Sequence, residues 1–176
     1  ILHYDGTSFT PSTGGPGISS VNALWVSSAS EVWVGGSSGT LARWNGSSFA
    51  SAALPAAAGR TLRAVWGSSP TSAWLAGDGG TMLRWNGVAA TAASVGSTAD
   101  LFGLWGSSAA DVWAVGDGGR IFHYNGSSWS AMSSGTTNGL GGVWGSSGTD
   151  VFAVGSSGTI LHFDGISWSA MSGFFS

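Results

Sequence analysis

The chain predicts an all-β fold of four-stranded antiparallel blades, and three observations carry that reading. First, one block of about 40 residues recurs along the whole 176-residue sequence; periods of about 20–50 residues mark solenoids, propellers or arrays. Its inner tryptophan stands at Trp25, Trp66, Trp105 and Trp144. Second, a turn pair recurs at Asp5-Gly6, Asn45-Gly46, Asn86-Gly87, Asn125-Gly126 and Asp164-Gly165. Third, no i, i+3, i+4 apolar pattern persists for three turns, which excludes helical repeats.

The elements can be taken in order through one repeat. Leu101 to Trp105 is a short apolar run ended by Gly106-Ser107-Ser108, which reads as a turn. Asp111 to Gly116 is β-branched and aromatic and is bounded by turn residues. Gly118-Gly119 leads into Arg120 to Tyr124, a third strand. Asn125-Gly126 predicts a type I′ hairpin turn, which needs positive φ at both central positions. Ser127 to Met132 returns as the fourth strand. Both strand faces are apolar, with Val112 and Ala114 against Trp113 and Val115, as a strand buried between two neighbours requires.

Four short strands joined by tight turns at this spacing make a β-propeller blade. The expected layout is one propeller or propeller segment over residues 1–176. It comprises a half blade at 1–20 and blades at about 21–61, 62–100, 101–138 and 139–176. Two strands plus four blades of four give 18 strands, or four and a half blades, and the C-terminal blade is already complete. The ring is then a segment of a longer array or is completed by another chain, so a homo-oligomer or a longer polypeptide is expected; a four-bladed ring with a spare hairpin is the remaining alternative.

Composition narrows the function classes. Charged residues are 7% of the chain, against roughly 25% in an ordinary soluble domain. Lysine is absent, the basic residues are Arg43, Arg60, Arg63, Arg84 and Arg120, and the net charge is −3. That leaves no basic footprint for nucleic acid. There is no cysteine, hence no disulfide and no thiolate chemistry. No apolar run approaches the roughly 18 residues of a membrane-spanning helix. The 31 glycines do not imply disorder, because 11 tryptophans accompany them in a strict period. The chain opens at Ile1 inside a repeat with no signal-like segment, and is expected to be a processed or excerpted piece.

The segments Ala114-Val115-Gly116-Asp117-Gly118-Gly119-Arg120-Ile121 and Leu75-Ala76-Gly77-Asp78-Gly79-Gly80-Thr81-Met82 resemble BNR/Asp-box and Ycf48-like β-propeller repeats. Those repeats carry a Trp-Ala-Val-Gly-Asp-Gly-Gly strand and turn before a hairpin ending in Trp. The resemblance covers nearly the whole chain at repeat level, and is closest to tandem repeats of secreted myxobacterial-type surface proteins. One departure is the hairpin at 125–129, which reads Asn-Gly-Ser-Ser-Trp in place of Ser-x-Asp-x-Gly-x-x-Thr-Trp. The resemblance implies the fold and an extracellular or cell-surface location. It implies no single function, because its relatives include sialidase domains, sortilin-type receptors, photosystem assembly factors and lectin-like modules.

Candidate binding residues come from positions that repeat. Trp129 and Trp168, with Phe9 and Phe49, fall in the last strand of a blade, nearer a rim, and are candidates for stacking on a sugar ring. Trp25, Trp66, Trp105, Trp144, Trp33, Trp74 and Trp113, with Phe152, read instead as blade-to-blade core, each aromatic burying about 150–250 Å². One position alternates between two basic types: His3, Arg43, Arg84, His123 and His162, each followed by an aromatic. In a ring these would repeat a donor site for glycan hydroxyls or carboxylates. The alternative is that each bonds the neighbouring blade's turn and holds the ring together.

The three histidines lie on different blades, so no metal site is expected. Glu31, Asp111 and Asp150 repeat, with Ser72 breaking the series, and open strands where they cap the preceding turn. Asp78 and Asp117 in Gly-Asp-Gly-Gly turns are candidates for Ca²⁺, but each loop brings one carboxylate to an ion that takes about six to eight oxygens. Asn45-Gly46-Ser47 and Asn125-Gly126-Ser127 match the glycosylation sequon, yet turn chemistry already explains both. The loops at 10–20, 50–61, 88–100 and 131–139 vary, and variable loops on a repeated scaffold carry binding.

An enzyme is not expected. Glu31 is the single Glu, Tyr4 and Tyr124 lie on different repeats, and no nucleophile–base constellation is present. No cofactor is expected either. The expectation is a non-catalytic binding module, a lectin-like or adhesive extracellular propeller recognising neutral glycans through repeated rim sites. Linked weak sites of that kind gain about 10²–10⁴ in avidity. The alternative is a structural or assembly propeller subunit that oligomerises or docks on a larger protein complex.

Overall fold

A computed structural model of the chain describes residues 2–4, 6–11 and 15–171, apart from the side chains of His3, Ala52 and Ala53. Its strands form four four-stranded antiparallel sheets and one two-stranded hairpin, β1 (Leu2–Tyr4) with β2 (Phe9–Pro11). The first blade is β3 (Val21–Ser28), β4 (Glu31–Gly36), β5 (Thr40–Trp44) and β6 (Phe49–Ala53). The second is β7 (Leu62–Ser69), β8 (Ser72–Gly77), β9 (Met82–Trp85) and β10 (Ala90–Ala92). The third is β11 (Leu101–Ser108), β12 (Asp111–Gly116), β13 (Ile121–Tyr124) and β14 (Trp129–Met132). The fourth is β15 (Leu140–Ser147), β16 (Asp150–Gly155), β17 (Ile160–Phe163) and β18 (Trp168–Ala170). In every blade the strands pair in sequence order, as a meander of short hairpins dictates.

Two local expectations are corrected. Gly106-Ser107-Ser108 is not a turn: β11 runs on through Ser108, with a register shift between Gly106 and Ser108, and the turn falls at Ala109-Ala110. The Asn-Gly pairs do not form type I′ turns. Gly46, Gly87, Gly126 and Gly165 have φ of 94–96°, while the preceding Asn or Asp residues keep negative φ. The pairing of Tyr124 with Trp129 leaves a four-residue loop, and the Asn125 side chain organises it by accepting the backbone N–H groups of Ser127 and Ser128 at 3.0 and 3.1 Å.

The hydrophobic core is three cores, one between each pair of adjacent blades. Trp33 and Leu41 of the first blade meet Leu75 and Trp85 of the second. Trp74 and Met82 of the second meet Phe122 and Tyr124 of the third. Trp113 and Val115 of the third meet Phe163 and Trp168 of the fourth. Alternation along each strand sends one face to the preceding blade and the other to the next. The inner strands follow the same order, β3 against β7, β7 against β11 and β11 against β15, with no comparable packing of β15 back onto β3. The four blades therefore form an open arc.

Each interface also repeats one close contact. The indole of Trp25 lies over Gly67, that of Trp66 over Gly106 and that of Trp105 over Gly145. A Cβ on those glycines would stand 2.8, 2.6 and 2.7 Å from the ring, so the spacing of the blades depends on that atom being absent.

Candidate interaction surfaces

The repeated basic residues are committed within the protein. Arg43 on β5 bonds Glu31 on β4 through both Nε (3.0 Å) and Nη2 (2.5 Å). Its guanidinium lies 4.6 Å from the Trp33 ring centre and 5.9 Å from that of Trp85 in the next blade. His123 bonds Asp111 at 2.6 Å and stacks on Trp113 at 4.1 Å. His162 bonds Asp150 at 2.7 Å and stacks on Phe152 at 4.5 Å. In the second blade Ser72 replaces the acid, and Arg84 instead donates across the interface to the Tyr124 hydroxyl at 3.1 Å. Arg84 does reach the neighbouring blade, whereas the other three pair inside their own. The side chain of His3 lies outside the described residues. Arg43 and Arg84 thus wedge between blades, while His123 and His162 are held by the acid and the aromatic ring of their own blade.

The acid that opens the second strand is thus a partner for the basic residue 12 positions later, as in Glu31 with Arg43 and Asp150 with His162. This pairing follows from the β4–β5 register, in which Trp33 faces Arg43 and Glu31 is two residues away on the same face. In the first blade Glu31 also accepts the Trp33 indole N–H at 2.8 Å. The indole N–H groups of Trp74 and Trp113, in blades with a shorter side chain at that position, are buried with no acceptor among the described residues.

Trp129 and Trp168 lie deeper than a rim placement implies. Trp168 is 8% exposed and packs edge-on to Trp113 at 5.5 Å; Trp129 is half-buried and packs edge-on to Trp74 at 5.1 Å. Both indole N–H groups are buried without an acceptor among the described residues. Their strand alternation turns them toward the preceding blade. Phe49 lies against Trp44 at 5.1 Å, and Phe9 in the N-terminal hairpin is exposed beside Tyr4.

At the Gly-Asp-Gly-Gly turn of the second blade, the carboxylate that is a candidate for Ca²⁺ is paired with the side chain of Arg63. Asp78 accepts from Arg63 and from the Thr61 backbone. Burial pushes its carboxyl up, but the hydrogen bonds from Arg63 and Thr61 outweigh that and hold it below the usual carboxylate range. Among the described residues no group of three or more His, Cys, Asp or Glu is placed to share a metal ion. No helix among them is long and apolar enough to cross a membrane.

Two surface features were not read from the sequence. The first is a groove of about 570 Å³ lined by Arg120, Ser133, Ser134, Thr136 and Thr137. Arg120 is exposed there, and among the described residues its guanidinium has no hydrogen bond or ion pair. The second is the pair of end faces of the arc. Trp144 is 64% exposed and Val154 48%, although Val115, the counterpart of Val154 one blade earlier, is fully buried. At the other end Val21, Leu24 and Val26 are exposed, whereas Leu62 and Val65, the counterparts of Val21 and Leu24, are buried. Around Trp144 and Val154 the repeats are nearly identical locally, so position in the arc separates these two from their counterparts Trp105 and Val115.

No family model and no curated protein sequence matches the chain. Among solved structures it is similar to YCF48 from Cyanidioschyzon merolae, with a TM-score of 0.67 and 16% sequence identity. The match covers 89% of this chain and 57% of that one, so the chain spans a little over half the length of the structure it matches. At that identity the likeness speaks for the fold: the chain is an all-β, propeller-like repeat protein of four antiparallel blades.

Proposed function

We propose that the chain is a non-catalytic interaction scaffold that docks on protein surfaces through the open faces at the two ends of its arc. The observation that carries this is the exposure of Trp144 and Val154 at one end and Leu24 and Val26 at the other. Contiguous apolar surface rimmed by polar residues marks interaction sites. The internal pairing of Arg43, Arg84, His123 and His162 favours this reading over repeated rim sites for sugars. The equivalent roles of Glu31, Asp111 and Asp150 favour a non-catalytic protein, because acid–base chemistry needs carboxyls in contrasting environments. An extracellular or cell-surface setting is part of the proposal and rests on the resemblance to secreted surface repeats; fractionation of the source cells tests it.

Site-specific photo-crosslinking tests the scaffold. A photoreactive residue is placed at Val154, at Val26 or, as control, at the exposed hairpin residue Ser127. Protein adducts formed at Val154 and Val26 but not at Ser127 are expected. Equal yields at all three positions would contradict end-face docking.

Recognition of neutral glycans is the second reading, and the Arg120 groove is the observation that favours it. A guanidinium with no partner among the described residues, beside the hydroxyls of Ser133 and Thr137, offers both donors and acceptors to a sugar. A glycan array with free-sugar competition is the test. Competable binding lost in Arg120→Ala supports this reading, and silence from the wild-type protein removes it.

A further inference from the structure

The contact shared by the three blade interfaces is directional. A tryptophan on the inner strand of one blade covers a glycine on the inner strand of the next, Trp25 over Gly67, Trp66 over Gly106 and Trp105 over Gly145. Trp144 is the fourth tryptophan of the series, and its blade has no successor among the described residues, which leaves it 64% exposed. Phe152, Val154 and Ile160 share its face, in the positions where Trp113, Val115 and Ile121 of the third blade are buried against the fourth. The face is therefore continuous in kind with three interfaces already formed in the protein.

The glycine position of the first blade is occupied differently. The inner strands of the other blades read Trp-Gly-Ser-Ser at 66–69, 105–108 and 144–147, but the first reads Trp25-Val26-Ser27-Ser28. At the three glycines even a methyl carbon would stand within 2.9 Å of the covering indole. Val26 puts an isopropyl group there and is itself 52% exposed. An inserted side chain of that size in a close-packed contact forces the surroundings apart.

We propose that the open face of the fourth blade is a docking surface for one further blade of this same repeat, selected by a glycine under Trp144. Val26 removes the chain's own first blade from that role, whether in the same copy or in a second copy. The arc therefore neither closes as a four-bladed ring nor propagates head to tail by this contact. This inference rests on the scaffold reading and specifies the occupant of one of its two end faces.

The test extends the full chain after Met171 with a second copy of residues 133–171, which supplies the natural connector and a glycine in the position of Gly145. A sister protein carries valine at that glycine. Val26 fills this position in the folded first blade. A Cβ at Gly145 would also stand 2.7 Å from the Asp150 carbonyl oxygen of its own blade, so the valine blade's own melting transition is the check that it folds. With the glycine blade, one thermal transition above that of the parent is expected. Hydroxyl-radical labelling of Trp144 should fall to the level of Trp105, and the new terminal tryptophan should take over the high labelling. The valine blade should melt in a separate, lower transition and leave Trp144 labelled as in the parent. Equal protection by both blades would overturn the glycine requirement, and protection by neither would overturn the docking face. Failure of the scaffold reading would show separately, in the crosslinking yields at Val26 and Val154.

Discussion

Trp105 and Trp144 occupy the same place in consecutive blades and meet opposite fates. Trp105 covers Gly145 and packs with the core of the third interface, while Trp144 faces solvent. Val115 and Val154 differ in the same way. In an array where each unit touches only its neighbours, stability is a sum over interfaces, so a residue's contribution depends on whether its blade has a successor. The interior of the arc shows what these repeats are built to bury, and its ends show what they still have on offer.

The largest expected contrast comes from truncating a core tryptophan against an end one. Trp113→Ala should cost about 3–5 kcal/mol, because Trp113 is fully buried among Phe163, Trp168 and His123. Trp144→Ala should cost less than about 0.5 kcal/mol, as an exposed substitution does. Urea unfolding of the two variants measures both, and similar losses would erase the distinction between interior and end.

A smaller effect is expected from copying the first blade's exception into the interior. Gly106→Val should destabilise by about 1–3 kcal/mol through overpacking against Trp66 and the Asp111 carbonyl oxygen. Thermal melts check this, and a neutral result would show that the blades have room to part. In the opposite direction, Ser72→Glu gives the second blade the carboxylate that Glu31 supplies in the first. It offers an acceptor to the orphaned Trp74 indole N–H and should stabilise by about 1 kcal/mol in the same melts.

The smallest effect is electrostatic and belongs to the exposed last blade. The Asp150 carboxyl is held below its ordinary value of 3.8 by the hydrogen bonds of Ser146 and then His162. Asp164 is lowered by the backbone N–H groups of Ser167 and Ile166. A depressed folded-state value means that the folded protein binds these protons less readily than the unfolded chain. The contribution is therefore present above about pH 4 and is lost as pH falls through the folded value. Hydrogen exchange of β15–β18 as a function of pH should show that decline, and Asp150→Asn should flatten it.

Much of this fold was legible in the sequence, because the repeat encodes it locally. The period gave the number of blades, and the double apolar faces of segments such as Asp111–Gly116 gave their burial. What local reading missed has specific causes. The Asn-Gly pairs suggested two-residue turns, but the strands resume only at Phe49, Trp129 and Trp168, after four-residue loops, and the Asx side chain does the turning. Trp129 and Trp168 looked peripheral because they sit in the outermost strand, yet alternation turns them toward the blade before them. The pairing of Glu31 with Arg43 needed the register of β4 on β5. Val26 was visible as a letter, but its consequence needed the position of the indole above each glycine. The exposure of Trp144 could not be read locally, since its surrounding letters match those of Trp105.

The measurement that tests the open arc most directly is hydroxyl-radical footprinting of the tryptophans in the unmodified protein. Trp144 should be labelled fastest in the series Trp25, Trp66, Trp105 and Trp144, with Trp33 and Trp113 labelled last. Protection of Trp144 to the level of Trp105 in the isolated monomer would mean that the fourth blade already has a neighbour, and would contradict the account.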